Sequence, residues 1–136
     1  IERVMTTFAD SYYFFALLNS RDPGFAKATE FLKTYTGKLV TTGWVLTEVG
    51  DGLSRLANRS AFLLTVETLE NDPNVEIVGF NDEIFRAGVE LFRKRPDKEW
   101  SLTDCISFVI MEREGIRKAL TADHHFEQAG FTALLK

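Results

Sequence analysis

The chain is short of cysteine, of net positive charge and of long apolar runs. It has one cysteine, Cys105, in 136 residues. No disulfide can form within it, and a reducing cytoplasm is the expected setting. Twenty Asp and Glu outnumber sixteen Lys and Arg, for a net charge of −4. That excludes a passive nucleic-acid coat, which is normally basic. It does not exclude a nuclease, because metal ions would offset a site rich in acids. The longest strongly apolar run, Tyr12 to Leu18, is far too short to span a bilayer. No N-terminal segment has the basic, apolar and small-residue order of a signal peptide. There is also no internal repeat, low-complexity tract or long linker. The length suits one domain, residues 1–136, with one core.

What the chain does have is core-forming material: 45% hydrophobic residues and twelve Phe, which excludes a disordered segment. Val4 to Ala9 reads as a strand, and Ser11 to Leu18, apolar all round, as a buried helix. Asp22-Pro23-Gly24 marks a turn before a helix over Phe25 to Tyr35, and Leu39 to Thr41 is a second strand. Thr42 to Ala57 reads as a helix with Val45, Leu46, Val49, Leu53 and Leu56 on one stripe, and Ala61 to Leu69 as another. Val75 to Val78 is a third strand, Asp82 to Phe92 a helix and Arg93 to Glu99 a polar loop. Ser101 to Glu114 is a helix stopped by Gly115, Lys118 to Thr121 a fourth strand, His124 to Gln128 a short helix and Phe131 to Leu135 a fifth strand. Strands alternating with helices predict an α/β fold, a three-layer α/β/α sandwich around a mostly parallel five-stranded sheet. Ligands of such sheets bind outside the carboxyl ends of the strands.

Four acids fall near the ends of these elements: Asp10, Glu48, Asp104 and Asp123. Each also suits an ordinary role. Asp10 and Asp123 are placed as helix N-caps. Ser101-Leu102-Thr103-Asp104 has the form of a capping box with Asp at its last position. Glu48 can be solvated, and Asp51, three residues on, can serve in its place. Yet the helix after Asp104, Cys105 to Met111, is nearly all apolar, so an Asp at its mouth is confined. Crowded carboxylates raise one another's pKa, and a hard divalent cation relieves them. Oxygen ligands select Mg²⁺ or Mn²⁺ rather than zinc, and such ions serve phosphodiester chemistry. Ser11 and Thr103 are candidates to orient the acids. Arg93, Lys94, Arg95 and Lys98 form the one dense basic cluster, suited either to a helix C-terminus or to phosphate contact, chiefly through Arg93, Arg95 and Lys98. His124 and His125 offer a metal ligand or a base, though adjacent residues on a helix point in different directions.

Asp10, Glu48, Trp100-Ser101-Leu102-Thr103-Asp104-Cys105 and Thr121-Ala122-Asp123-His124-His125-Phe126 resemble the ordered acids of the PIN-domain ribonucleases. In size the chain is most similar to the free-standing VapC-type toxins, and the likeness continues through Gln128-Ala129-Gly130-Phe131. Ser11-Tyr12 departs from the small hydroxyl residues that many members carry after the first acid. The resemblance implies a divalent-metal-dependent endoribonuclease that cleaves single-stranded or structured RNA by metal-activated water attack. It makes Asp10, Glu48, Asp104 and Asp123 the catalytic, Mg²⁺- or Mn²⁺-binding set. It also implies a homodimer and an antitoxin partner, with no membrane association. A non-catalytic PIN-like RNA- or protein-binding scaffold and a housekeeping RNA-processing nuclease are the alternatives. A haloacid-dehalogenase-type phosphatase would need an acid where Tyr12 stands, and a Rossmann module would need Gly-x-Gly-x-x-Gly after a strand.

Overall fold

Five short strands align into one sheet in the order β3-β2-β1-β4-β5, and every pairing is parallel. The structure is a computed structural model that describes residues 5–136, so Val4, expected to open the first strand, lies outside the described residues. The strands are β1 (Thr6–Ala9), β2 (Lys38–Thr42), β3 (Val75–Val78), β4 (Lys118–Leu120) and β5 (Thr132–Ala133). The helices are α1 (Ser11–Leu17), α2 (Phe25–Thr34), α3 (Gly43–Gly52), α4 (Leu56–Asn71), α5 (Asp82–Lys94), α6 (Leu102–Glu114) and α7 (His124–Gln128).

The strand order fixes the layers. From β1 the chain steps through β2 to β3 in one direction, then crosses back to β4 and β5 on the far side of β1. With right-handed crossovers, α1 to α4 cover one face and α5 to α7 the other. The helix contacts agree: α1 touches α2 and α3, α3 touches α4, α5 packs on α6, and α6 meets α7. The three-layer expectation holds, and the sheet is wholly parallel. The direction reverses between β1 and β4, and the crevice at their carboxyl ends is the position where open α/β sheets take ligands.

Several boundaries differ from the expectation. The helix expected over Thr42 to Ala57 is two helices. Thr42 stays outside as the N-cap, its hydroxyl accepting from the Val45 N–H at 3.0 Å, and the first helix ends at Gly52. After Leu53 to Arg55 the second helix begins at Leu56 and absorbs the Ala61 to Leu69 segment. Leu56, expected on the core stripe, is 88% exposed, because the break turns α4 away. Arg93 and Lys94, expected in a loop, form the last turn of α5, where cations suit the helix dipole. β5 is only Thr132–Ala133 rather than Phe131 to Leu135.

Under the crevice lies an aromatic cluster. Phe108 meets Phe126 at 4.9 Å and Trp100 at 5.1 Å, both edge-on, and Phe8 of β1 lies 6.5 Å from Phe126. Trp100 also donates its indole N–H to Gln128 Oε1 at 2.9 Å. Trp100 immediately precedes the cap of α6 and Phe126 lies within α7, so this buried cluster pins both acid-bearing segments to one piece of core.

Candidate metal centre

β1 and β4 are paired in register, Ala9 opposite Leu120. The next residues out are therefore Asp10 and Thr121, and the Thr121 hydroxyl donates to Asp10 Oδ2 at 2.9 Å. Asp10 occupies the N-cap position of α1 but makes no side-chain cap bond. Asp10 is 5% exposed, and its carboxylate is bonded to Thr121 rather than used for capping. Burial pushes its pKa up to about 7. The Thr121 hydroxyl and the Ser11 backbone N–H oppose that rise, while the charges of Asp104 and Glu48 add to it. The charges of Asp104 and Glu48, from two other segments, thus reach Asp10.

Asp104 enters from α6. The capping box is real: Ser101 Oγ accepts from the Asp104 N–H at 3.0 Å, and Asp104 Oδ2 accepts from the Ser101 N–H at 3.3 Å. Capping does not exhaust the side chain. Oδ2 also lies 3.2 Å from His125 Nδ1, and Asp104 is buried. Burial, then the nearby Asp123, raise its pKa against the lowering effect of Ser101 and His125. Asp123, three residues past β4, caps α7: its Oδ1 accepts from the His125 N–H at 2.9 Å. The Thr121 hydroxyl oxygen accepts from the Asp123 N–H at 3.0 Å, so one threonine bonds to the carboxylate of Asp10 and holds the backbone of Asp123.

The remaining expected residues divide. Glu48, half-buried on α3, adds to the negative potential at Asp10. Asp51 is exposed and lines a groove between α3 and α4 with Arg59 and Phe62, away from Asp10. Ser11 is the first residue of α1 and presents its N–H to Asp10. Thr103 is half-buried and has no hydrogen bond to Asp104 among the described residues; Ser101 and His125 do that work. Arg93 is paired with Glu90 at 2.6 Å, and Arg95 grips Asp97 through two bonds while stacking over Trp100 at 5.2 Å. These two guanidiniums are held by other carboxylates. Lys98 makes no ion pair among the described residues. Sequence reasoning missed Thr121 altogether. The signal was there: two strands that each run into an acid, paired in parallel, must place the residue before one acid beside the other.

No Lys or Arg pairs with Asp10, Glu48, Asp104 or Asp123 among the described residues. Buried carboxylates without a cation are unfavourable. An oxygen-rich set with that deficit fits Mg²⁺ or Mn²⁺.

Residues 7–132 match the PIN domain family, and the chain belongs to it. The 23S rRNA-specific endonuclease VapC20 of Mycobacterium tuberculosis is 27% identical over 125 residues, covering 91% of this chain and 94% of that protein. The crystal structure of VapC20, described as a sarcin–ricin-loop-cleaving toxin, superposes with a TM-score of 0.84 at 23% identity, over 93% of this chain and 96% of that one. FitAcB from Neisseria gonorrhoeae gives 0.67 at 16% identity over 95% of each chain. VapBC2 from Rickettsia felis, bound to a DNA fragment from its promoter, gives 0.67 at 14% identity, over 95% of this chain and 97% of that one. These likenesses carry the fold.

Proposed function

We propose that this PIN domain is a divalent-metal-dependent endoribonuclease and the toxin of a toxin–antitoxin pair. One observation carries the reading: Asp10 and Asp104 are buried at the β1/β4 switch point, within electrostatic reach of Glu48 and Asp123, with no Lys or Arg among the described residues paired to them. Asp10, Glu48, Asp104 and Asp123 would hold Mg²⁺ or Mn²⁺. When bound, such an ion neutralises the carboxylates, orients a phosphodiester and makes a water molecule acidic enough to attack it.

The chain's own residues prepare that site. Thr121 fixes Asp10 by a hydroxyl bond and spaces it from Asp123 through the backbone. The Ser101 cap holds Asp104 at the mouth of a buried helix, so its carboxylate cannot swing into solvent. The match to an rRNA endonuclease over most of both chains supports RNA as the substrate class. Solved toxin–antitoxin assemblies of the same fold support an antitoxin partner. Exposed Leu56, Leu63 and Leu64 on α4 support a homodimer.

Incubation of the purified protein with a pool of single-stranded and structured RNAs, ribosomal RNA included, tests the activity. Cleavage should require Mn²⁺ or Mg²⁺, stop with EDTA and be absent in Asp104→Asn. Equal cleavage with Mn²⁺ and with EDTA, or none across the pool while Mn²⁺ binds normally, overturns the assignment.

A further inference from the structure

His125 occupies a position that the four-acid set leaves unexplained. Its Nδ1 lies 3.2 Å from Asp104 Oδ2 and 3.4 Å from Asp123 Oδ1. The ring is largely enclosed, 19% exposed in its side chain, whereas neighbouring His124 is 65% exposed. Two features fix the ring. The His125 N–H is bonded to Asp123 Oδ1 at 2.9 Å, and the next residue, Phe126, is fully buried against Phe8 and Phe108.

The 3.2 Å contact with Asp104 is at the long end of the hydrogen-bond range, and the 3.4 Å contact with Asp123 lies beyond it. An imidazole N–H on a carboxylate shortens to about 2.7–2.9 Å when charge assists it. One N–H shared between two oxygens on different segments makes at best a weaker three-centre bond. Ligands held at about 2.1 Å from a shared ion, at angles between right and tetrahedral, lie roughly 3.0–3.4 Å apart. Both contacts of Nδ1 are close to that spacing.

We propose that His125 Nδ1 is a ligand of the metal centre alongside Asp104 and Asp123, and that this nitrogen makes the site select Mn²⁺ over Mg²⁺. The proposal rests on the metal-site reading above. Mn²⁺ is the weakest nitrogen binder of the first-row divalent series, yet as a transition ion it accepts an imidazole more readily than Mg²⁺, which keeps to carboxylate and water. A site of oxygens alone has little means to tell the two apart; one enclosed nitrogen supplies it. Donor atoms of Asp123, His124 and His125 all lie within 4.8 Å of one another; the His124 ring is exposed where that of His125 is enclosed, so His125 is the nitrogen ligand assigned.

The test uses the whole chain loaded with Mn²⁺ alone. Pulsed EPR should show ¹⁴N hyperfine coupling in wild type and in His124→Ala, and none in His125→Ala. Calorimetric titrations should show wild type binding Mn²⁺ about tenfold or more tighter than Mg²⁺, in keeping with ligand softness. His125→Ala should lose about tenfold or more for Mn²⁺ and less than about threefold for Mg²⁺. Mn²⁺ bound in wild type without nitrogen coupling, or coupling that vanishes in His124→Ala or survives in His125→Ala, overturns the proposal. Asp104→Asn separates the two levels. If it binds Mn²⁺ as tightly as wild type, the acidic-site reading itself fails. If it loses Mn²⁺ while wild type shows no nitrogen coupling, the reading stands and only the role of His125 falls. Should His125→Ala fold poorly, the wild-type and His124→Ala spectra decide.

Discussion

At the scale of single residues, Asp10 is where burial and charge conflict most directly. Its folded-state pKa, about 7, lies above the ordinary 3.8, so between those values the folded protein holds a proton that the unfolded chain has released. The sign follows from linkage: where the folded state binds more protons, stability falls as pH rises. Metal-free protein should therefore lose stability steadily from about pH 4 to about pH 7, by up to about 1.4 kcal/mol per pH unit for this one group. Asp104, also raised, acts in the same direction. Asp10→Asn should flatten the slope and make the metal-free protein more stable at neutral pH. Urea melts at several pH values in EDTA check this, and a wild-type slope equal to that of Asp10→Asn refutes it. The places of Asp10, Asp104 and Asp123 at helix starts were legible from turn and cap signals. Thr121 was not, since its hydroxyl takes its meaning from a partner 111 residues away. His125 is legible as a ligand or base, but its neighbour Asp104, 21 residues away, is not foreseen.

At the scale of elements, periodicity located β3 and α7 to the residue, and caps located the start of α6. It misplaced the junction of α3 and α4. The α3–α4 break carries no proline, and the apolar stripe runs on through Leu53 and Leu56. Gly88, inside α5, was equally opaque. Its reason is the approach of α6: a Cβ there would lie 2.4 Å from Ile106 Cγ1 and 3.3 Å from Ile106 Cα. Glycine costs a helix interior about 1 kcal/mol, and here it permits the close crossing that seats the helix carrying Asp104. Gly88→Ala should destabilise by about 1–2 kcal/mol, the overpacking penalty less the gain in helix propensity. Gly79→Ala, where nothing lies within 4 Å of the added methyl, should stay within about 0.5 kcal/mol of wild type. Thermal melts of the two variants check both, and equal midpoints would show that the α5–α6 contact relaxes freely.

For the whole molecule, strand–helix alternation foretold the parallel sheet, but the order β3-β2-β1-β4-β5 came only with the coordinates. That order brings Asp10 and Asp123 to one crevice, and composition is blind to it. The chain is 45% hydrophobic, and the fold divides those side chains between core and surface. Tyr13 and Phe14 go to the core, while Leu56, Leu63 and Leu64 stay 88%, 64% and 64% exposed. No residue of α4 is buried, although an isolated chain gains by turning such leucines inward. The helix is instead held by partial contacts such as Phe62 over Gly50, with a ring atom 3.0 Å from where a Cβ would stand. A helix so placed fits the proposed homodimer, in which α4 loses water to a second copy. Light scattering at micromolar concentration should give a dimer for wild type and a monomer for Leu63→Asp/Leu64→Asp. Two leucines removed from an interface, at about 1.5 kcal/mol each or more, should weaken association by about a hundredfold or more. Because both side chains are already largely in water, the double variant should stay folded and keep its Mn²⁺ affinity. A monomeric wild type, or a double variant that remains dimeric, would remove α4 from the interface.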